Sequence, residues 1–227
     1  MQDFQDVENQ DFSVDLFWSM RSPYCYFLID RLIELRRQYN VNIEFKVIYP
    51  IAIRDPNFFS KRASKHYRSY HLLDSSRVAE RLEIPYRRPI PDPVVQVLET
   101  GKIASEQPHI HLITRLAQLA AEDGKALDFH DKISRLIWNG KTDGWNEEHH
   151  LERALMSAGF KPSEMIIRAN QEAQRIDAAI DKNQALHDAA GHTGVPLFSF
   201  RGEPFFGQDR FEDLKWRLLQ AGVQSQH

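Results

Sequence analysis

This chain of 227 residues has a single cysteine, Cys25. A disulfide within the chain is therefore excluded, and a reducing, cytoplasmic setting is the expectation. No apolar run approaches the roughly 20 residues of a membrane span, so no membrane partner is expected. An excess of one charge is also lacking. The 29 Lys and Arg stand against 32 Asp and Glu, a net charge of -3, which argues against a nucleic-acid partner. The opening stretch MQDFQDVENQDF has neither the basic start nor the apolar segment of a secretory signal, and residues 1–12 are expected to form a flexible tail. His109-x-His111 and His149-His150 come with no cysteine and no third ligand at a suitable spacing, so no metal is expected.

What is present suits a packed α/β chain. Hydrophobic residues make up 42% and aromatics 11%, enough for one large domain or a domain carrying an insertion. SVDLFW at 13–18 reads as a strand. Ser22 then precedes Pro23, and Cys25, Leu28, Ile29, Leu32 and Ile33 recur at helical spacing, which predicts a helix with serine at the N-cap and proline at N1, running to about Arg37 or Gln38. VNIEFKVI at 41–48 alternates as a half-buried strand. Strand, helix and strand in this order suggest parallel pairing.

From Asp55 to Gly191 the pattern is helical and carries no convincing strand. RRPIPDPVV, 87–95, is an irregular break. Helices are predicted over 110–122, 126–137, 147–158 and 166–190. Strand character returns at 195–200, a turn at Arg201-Gly202 leads to a partner strand at 203–206, and a last helix starts with Asp209 as N-cap.

Three stretches are candidates for chemistry. At Ser22 the plain reading is a helix cap. The functional one is a hydroxyl at a positive helix end that donates to a thiolate carried in by a ligand. Cys25, one turn later, is either a small core side chain or a reactive thiol, depending on whether its sulfur reaches solvent. Val195-Pro196 opens a strand after the Gly191-His192-Thr193-Gly194 loop. A cis bond there would expose the Val195 backbone to an extended ligand, but only about one X-Pro bond in twenty is cis. In Gly207-Gln208-Asp209-Arg210, a carboxylate and a guanidinium at a helix start form either a turn and cap or a holder for an amino-acid-like group.

Taken in order, a strand into Ser22-Pro23-Tyr24, a long helical insertion, Gly194-Val195-Pro196 and Phe206-Gly207-Gln208-Asp209-Arg210 resemble the 2-hydroxychromene-2-carboxylate isomerase and kappa-class glutathione transferase family, a DsbA-like branch of thioredoxin folds. The resemblance spans about residues 13–220. It implies a thioredoxin-like βαβ…ββα sheet domain at 13–54 and 192–222, with an all-helical insertion at 55–191. It also implies glutathione as cofactor and a homodimer. Ser22 would activate the glutathione thiol, Val195 before a cis Pro196 would pair with its cysteinyl part, and Asp209 and Arg210 would hold its γ-glutamyl end. Asn57 is the candidate for a ligand-contacting asparagine of the family, and Lys61 and Lys65 are the candidates for its lysine at the glycyl carboxylate, in a stretch that departs from the family pattern.

The chemistry so implied is reversible addition of glutathione thiolate to an unsaturated, aromatic-derived carboxylate, followed by rotation and elimination, or a closely related transfer to a small electrophile. Tyr49, Arg54 and Arg88 are candidates for the substrate, and Trp138 and Trp145 for the roof of the site. Two alternatives stand beside this one. One is a thiol-disulfide oxidoreductase using Cys25 alone; the other is a non-catalytic binding module along the Pro196 edge.

Overall fold

The computed structural model describes residues 12–63, 66–97, 99–147 and 149–226; Lys65 and nearly all of the expected tail lie outside them. Strand β1, Ser13–Trp18, buries Val14, Leu16, Phe17 and Trp18. Val14, Leu16 and Trp18 enter the main core, while Phe17 joins Ile48 and Leu197 in a small cluster on the opposite side. A strand buried on both faces belongs in the middle of a sheet, and β1 is there.

The chain then turns into helix α1, Pro23–Tyr26, and helix α2, Ile29–Gln38. The single helix expected here is interrupted, because the Leu28 N–H bonds back only three residues, to Cys25 O at 3.0 Å, before the Leu32 N–H regains Leu28 O at 2.9 Å. Cys25, Leu28, Ile29 and Leu32 are all buried, so the apolar spacing runs unbroken across the interruption and conceals it. Strand β2, Asn42–Val47, pairs parallel with β1 along its whole length.

Ten helices in all are found among the described residues. Helix α3 is Ile51–Arg54, a π-helical turn follows at Phe58–Arg62, and helix α4 is Tyr67–Arg81. Among the described residues, the stretch 82–109 holds no helix or strand, only an isolated bridge between Gln96 and Ile103. Helices α5, Ile110–Glu122, and α6, Ala126–Trp138, bury broad apolar faces. Helix α7 covers His150–Ser157, α8 Pro162–Gln171 and α9 Ala173–Ala189. The last two replace the single helix expected at 166–190. Pro162 occupies the first turn of α8, where its missing N–H costs nothing.

Strands β3, Leu197–Phe200, and β4, Glu203–Phe206, complete a sheet of order β2-β1-β3-β4, with β3 antiparallel to both neighbours. Helix α10, Phe211–Gln220, follows a 3-10 turn at Gln208–Arg210 and starts from Arg210, without a side-chain cap from Asp209. The main core is continuous from the sheet into α5, α6, α8 and α9, so the helical block and the sheet share one apolar interior.

Candidate active site

A cavity of about 400 Å³ opens where β1, the start of β3 and the segments around α3 and α4 meet. Its sheet-side wall is built mainly by the backbone. Ser22 caps α1 in extended conformation, and its Oγ accepts the Cys25 N–H at 3.3 Å. That bond uses a lone pair and leaves the hydroxyl proton available to a neighbouring acceptor. The turn is locked from behind by the Ser22 N–H on Ser19 O at 3.1 Å, and by the indole N–H of Trp138 on Met20 O at 3.2 Å.

Cys25 faces the interior and has no exposed surface. Burial pushes its thiol up to about 12, against the opposing hydrogen bonds of Ser19 and Ser22. The redox reading needed a thiolate that meets solvent, and a sealed, neutral thiol does not supply one.

Val195 lines the cavity, and the Val195-Pro196 bond is cis. The β3–β4 ladder starts only at Leu197 and Phe206, with the Gly207 N–H on Pro196 O at 2.9 Å; the Val195 amide and carbonyl lie outside it. The preceding loop is held in place. His187 Nε2 meets Gly194 O at 3.0 Å, which requires the proton on Nε2, and the Gly194 N–H donates to His192 Nδ1 at 2.9 Å. The His192 ring stacks on Phe206 at 3.6 Å. Any side chain at Gly194 would run into that phenyl ring, 2.4 Å from where a Cβ would sit.

The opposite wall is cationic and aromatic. Arg21, Arg54, Arg68 and Arg88 line it together with His71, Phe58, Phe59 and Tyr67, and no carboxylate is among the described lining residues. Asp92 stands behind. It accepts Arg21 Nε at 2.8 Å and Arg21 Nη2 at 3.0 Å, receives Arg88 Nη2, and takes the Val94 N–H at 2.9 Å. Burial alone would raise the Asp92 carboxyl; the two guanidinium groups and the amide outweigh it and hold it below the ordinary carboxylate range. Arg21 Nη2 also donates to Gln96 Oε1 at 2.9 Å. Arg54 donates Nε to Tyr49 O at 2.8 Å and has no carboxylate within 4.0 Å among the described residues. The wall therefore carries more positive than negative charge, an arrangement made for anions.

Several expected site residues lie elsewhere. Asp209 and Arg210 are outside the cavity and 58% exposed, paired with each other at 3.8 Å, and Arg210 also with Asp213 at 3.4 Å. Phe206, the residue just before that turn, is what reaches the cavity. Asn57 is exposed, because the chain turns Phe58 and Phe59 inward in its place. Tyr49 points away, donating to Asp177 at 2.8 Å, a carboxylate also held by Arg115. Trp138 and Trp145 are core side chains, and the Trp145 indole donates to Pro91 O at 2.8 Å. Neither roofs the site. Ser22, Val195, Arg54 and Arg88 do line it. Arg21, His71, Asp92, Gln96 and His192 were missed. Arg21, next to Ser22, and His192, in the loop before Val195-Pro196, had a sequence signal, and Asp92 stood out as the one acid in RRPIPDPVV.

The description DSBA-like thioredoxin domain matches residues 13–219. No curated protein matches the chain. Among solved structures, a 2-hydroxychromene-2-carboxylate isomerase is similar at 16% identity and TM-score 0.69, over 92% of this chain and 95% of that one. A probable DsbA oxidoreductase from Streptomyces coelicolor follows at 16% identity and TM-score 0.64, over 92% and 89%. The cytosolic disulfide reductase DsbM from Pseudomonas aeruginosa, solved with GSH, is 13% identical at TM-score 0.56, over 92% and 98%. These identities carry the fold and no more. The chain belongs to the DsbA-like thioredoxin domain family.

Proposed function

We propose that the protein is a glutathione-dependent enzyme that adds the glutathione thiolate to a small, anionic, unsaturated electrophile, as an isomerase of the 2-hydroxychromene-2-carboxylate type or a kindred transferase. The observation that carries this reading is the division of labour within one helical turn. Ser22 offers a hydroxyl proton to the cavity, while the chain's one sulfur, Cys25, is sealed in the core. A thiol used here would have to arrive with the ligand. The Val195 backbone would pair with its cysteinyl part, and Arg54 and Arg88 would take carboxylates. The same buried Cys25 speaks against a redox enzyme acting through that residue alone. A homodimer, which rests on the family resemblance, and a cytoplasmic setting, which rests on the single cysteine, are part of the proposal.

Calorimetric titration with glutathione and with S-methylglutathione tests it. Glutathione is expected to bind, and the methylated form to bind more weakly, since its sulfur cannot ionise. Equal affinity for the two, or no binding of either, contradicts the proposal.

A further inference from the structure

His71 projects from α4 into the cavity that Ser22 lines. Its imidazole meets the Tyr24 ring edge-on at 5.3 Å and lies nearly parallel to Tyr67 at 6.2 Å. It has no hydrogen-bond partner among the described residues, and neither of its nitrogens is among the sealed, unpartnered polar atoms of the interior. The polar groups around it are already engaged. Tyr24 donates its hydroxyl to Asp74 at 2.7 Å, and Arg21 and Arg88 are tied to Asp92. Burial, with Arg88 and Arg21 acting in the same sense and Asp74 opposing them, pushes the imidazole down to about 4. At neutral pH the ring is uncharged and carries one N–H.

We propose that His71 is a catalytic residue, donating a hydrogen bond to the oxyanion that forms when the glutathione sulfur adds to an α,β-unsaturated carbonyl compound. The role rests on the glutathione reading above. In the addition, a sulfur lone pair forms the S–C bond at the β-carbon. The C=C π pair moves into the bond between the α-carbon and the carbonyl carbon, and the carbonyl π pair moves onto oxygen. The former double bond, now single, rotates. Collapse of the enolate re-forms it and expels the thiolate, so no proton or electron is consumed.

Negative charge sits on that oxygen only between the two steps, so a fixed donor stabilises the intermediate more than the bound substrate. A neutral imidazole suits the task, being too weak an acid to protonate the enolate and trap the adduct. Arg21 and Arg88, braced by Asp92, are matched instead to the standing charge of a carboxylate.

The test uses the full chain with glutathione and cis-benzylidenepyruvate, an enone that carries a carboxylate, following formation of the trans isomer. His71→Phe keeps a ring between Tyr24 and Tyr67 and removes the donor; His71→Gln keeps a donor. The expected result is a roughly 100-fold loss of kcat in His71→Phe and recovery to within about tenfold of wild type in His71→Gln. The glutathione thiolate absorbance should be unchanged in both variants. Nitrogen NMR of the wild type should show a neutral His71 between about pH 5 and 8. Turnover of His71→Phe within about threefold of wild type overturns the role, as does a wild type that forms the thiolate yet leaves the enone unconverted; in both cases the glutathione reading stands. A wild type that forms no thiolate overturns that reading, and this inference with it.

Discussion

The two walls of the cavity are fixed by different forces. On the sheet side the functional groups are a hydroxyl and a stretch of backbone, set by the end of β1, the start of β3 and the apolar core behind them. Trp18, Met20 and Trp138 are nearly without exposed surface there. On the opposite side the groups are guanidinium heads, aromatic rings and an imidazole, presented by the turn after β1 (Arg21), α3 (Arg54), the π-helical turn, α4 and the irregular segment 82–109. They are positioned by polar contacts such as Asp92 with Arg21 and Arg88. The first wall is rigid and chemically spare, the second charged and dependent on its supports. Changes behind the first should alter stability, and changes in the second should alter which ligands bind.

The largest expected effect is on the sheet side. Trp138→Ala removes a buried indole and leaves Met20 O without its donor, and should cost about 3–5 kcal/mol, measured by urea unfolding. A loss below about 1 kcal/mol would show that the turn is not held from behind.

His130 comes next. It is wholly buried, 4.4 Å from the Trp18 ring and 5.1 Å from that of Phe45, and burial pushes it down to about 3 from an ordinary 6.5. Between those values the unfolded chain holds the proton and the folded chain does not. Stability contributed by the neutral ring is therefore lost as pH falls from 6.5 towards 3, at up to roughly 1.4 kcal/mol per pH unit. Unfolding curves at neutral pH and near pH 5 should differ by about 1–2 kcal/mol, and His130→Phe should shrink the difference.

On the insertion side, Arg88→Met should weaken a carboxylate-bearing ligand by roughly tenfold, or about 1.4 kcal/mol, with the melting temperature little changed. Loss of folding together with binding would blur the contrast between the walls. The smallest effect is expected at Asp209→Asn and Arg210→Gln. Their exposed pair is worth under about 1 kcal/mol, and glutathione affinity should stay within about twofold; a large loss would place the ligand outside the cavity described.

The sheet side was also the legible side. β1 and β4 match their expected bounds, and the parallel β1–β2 pair follows from alternation and order. Ser22-Pro23 marks the helix start because a cap and a proline act locally. The cis state of Pro196 came from the family resemblance, since residue pattern alone disfavours it. The insertion wall was hidden for a physical reason. Arg21, His71 and Asp92 are far apart in sequence, and they meet only because 82–109 folds back through side-chain contacts that leave no period. α4 buries little more than Ser75, Val78 and Ala79, too narrow a stripe to fix the bounds of a helix. Asp209 and Arg210 showed the reverse error, a suggestive local motif that the Gly207 turn leaves on the surface.

The most direct measurement is an ultraviolet titration of glutathione bound to the wild type and to Ser22→Ala. The account predicts a thiolate band at neutral pH in the wild type that falls roughly tenfold or more in the variant, with the fold intact by circular dichroism. An equal band in both proteins, or none in the wild type, would contradict a thiol held by Ser22.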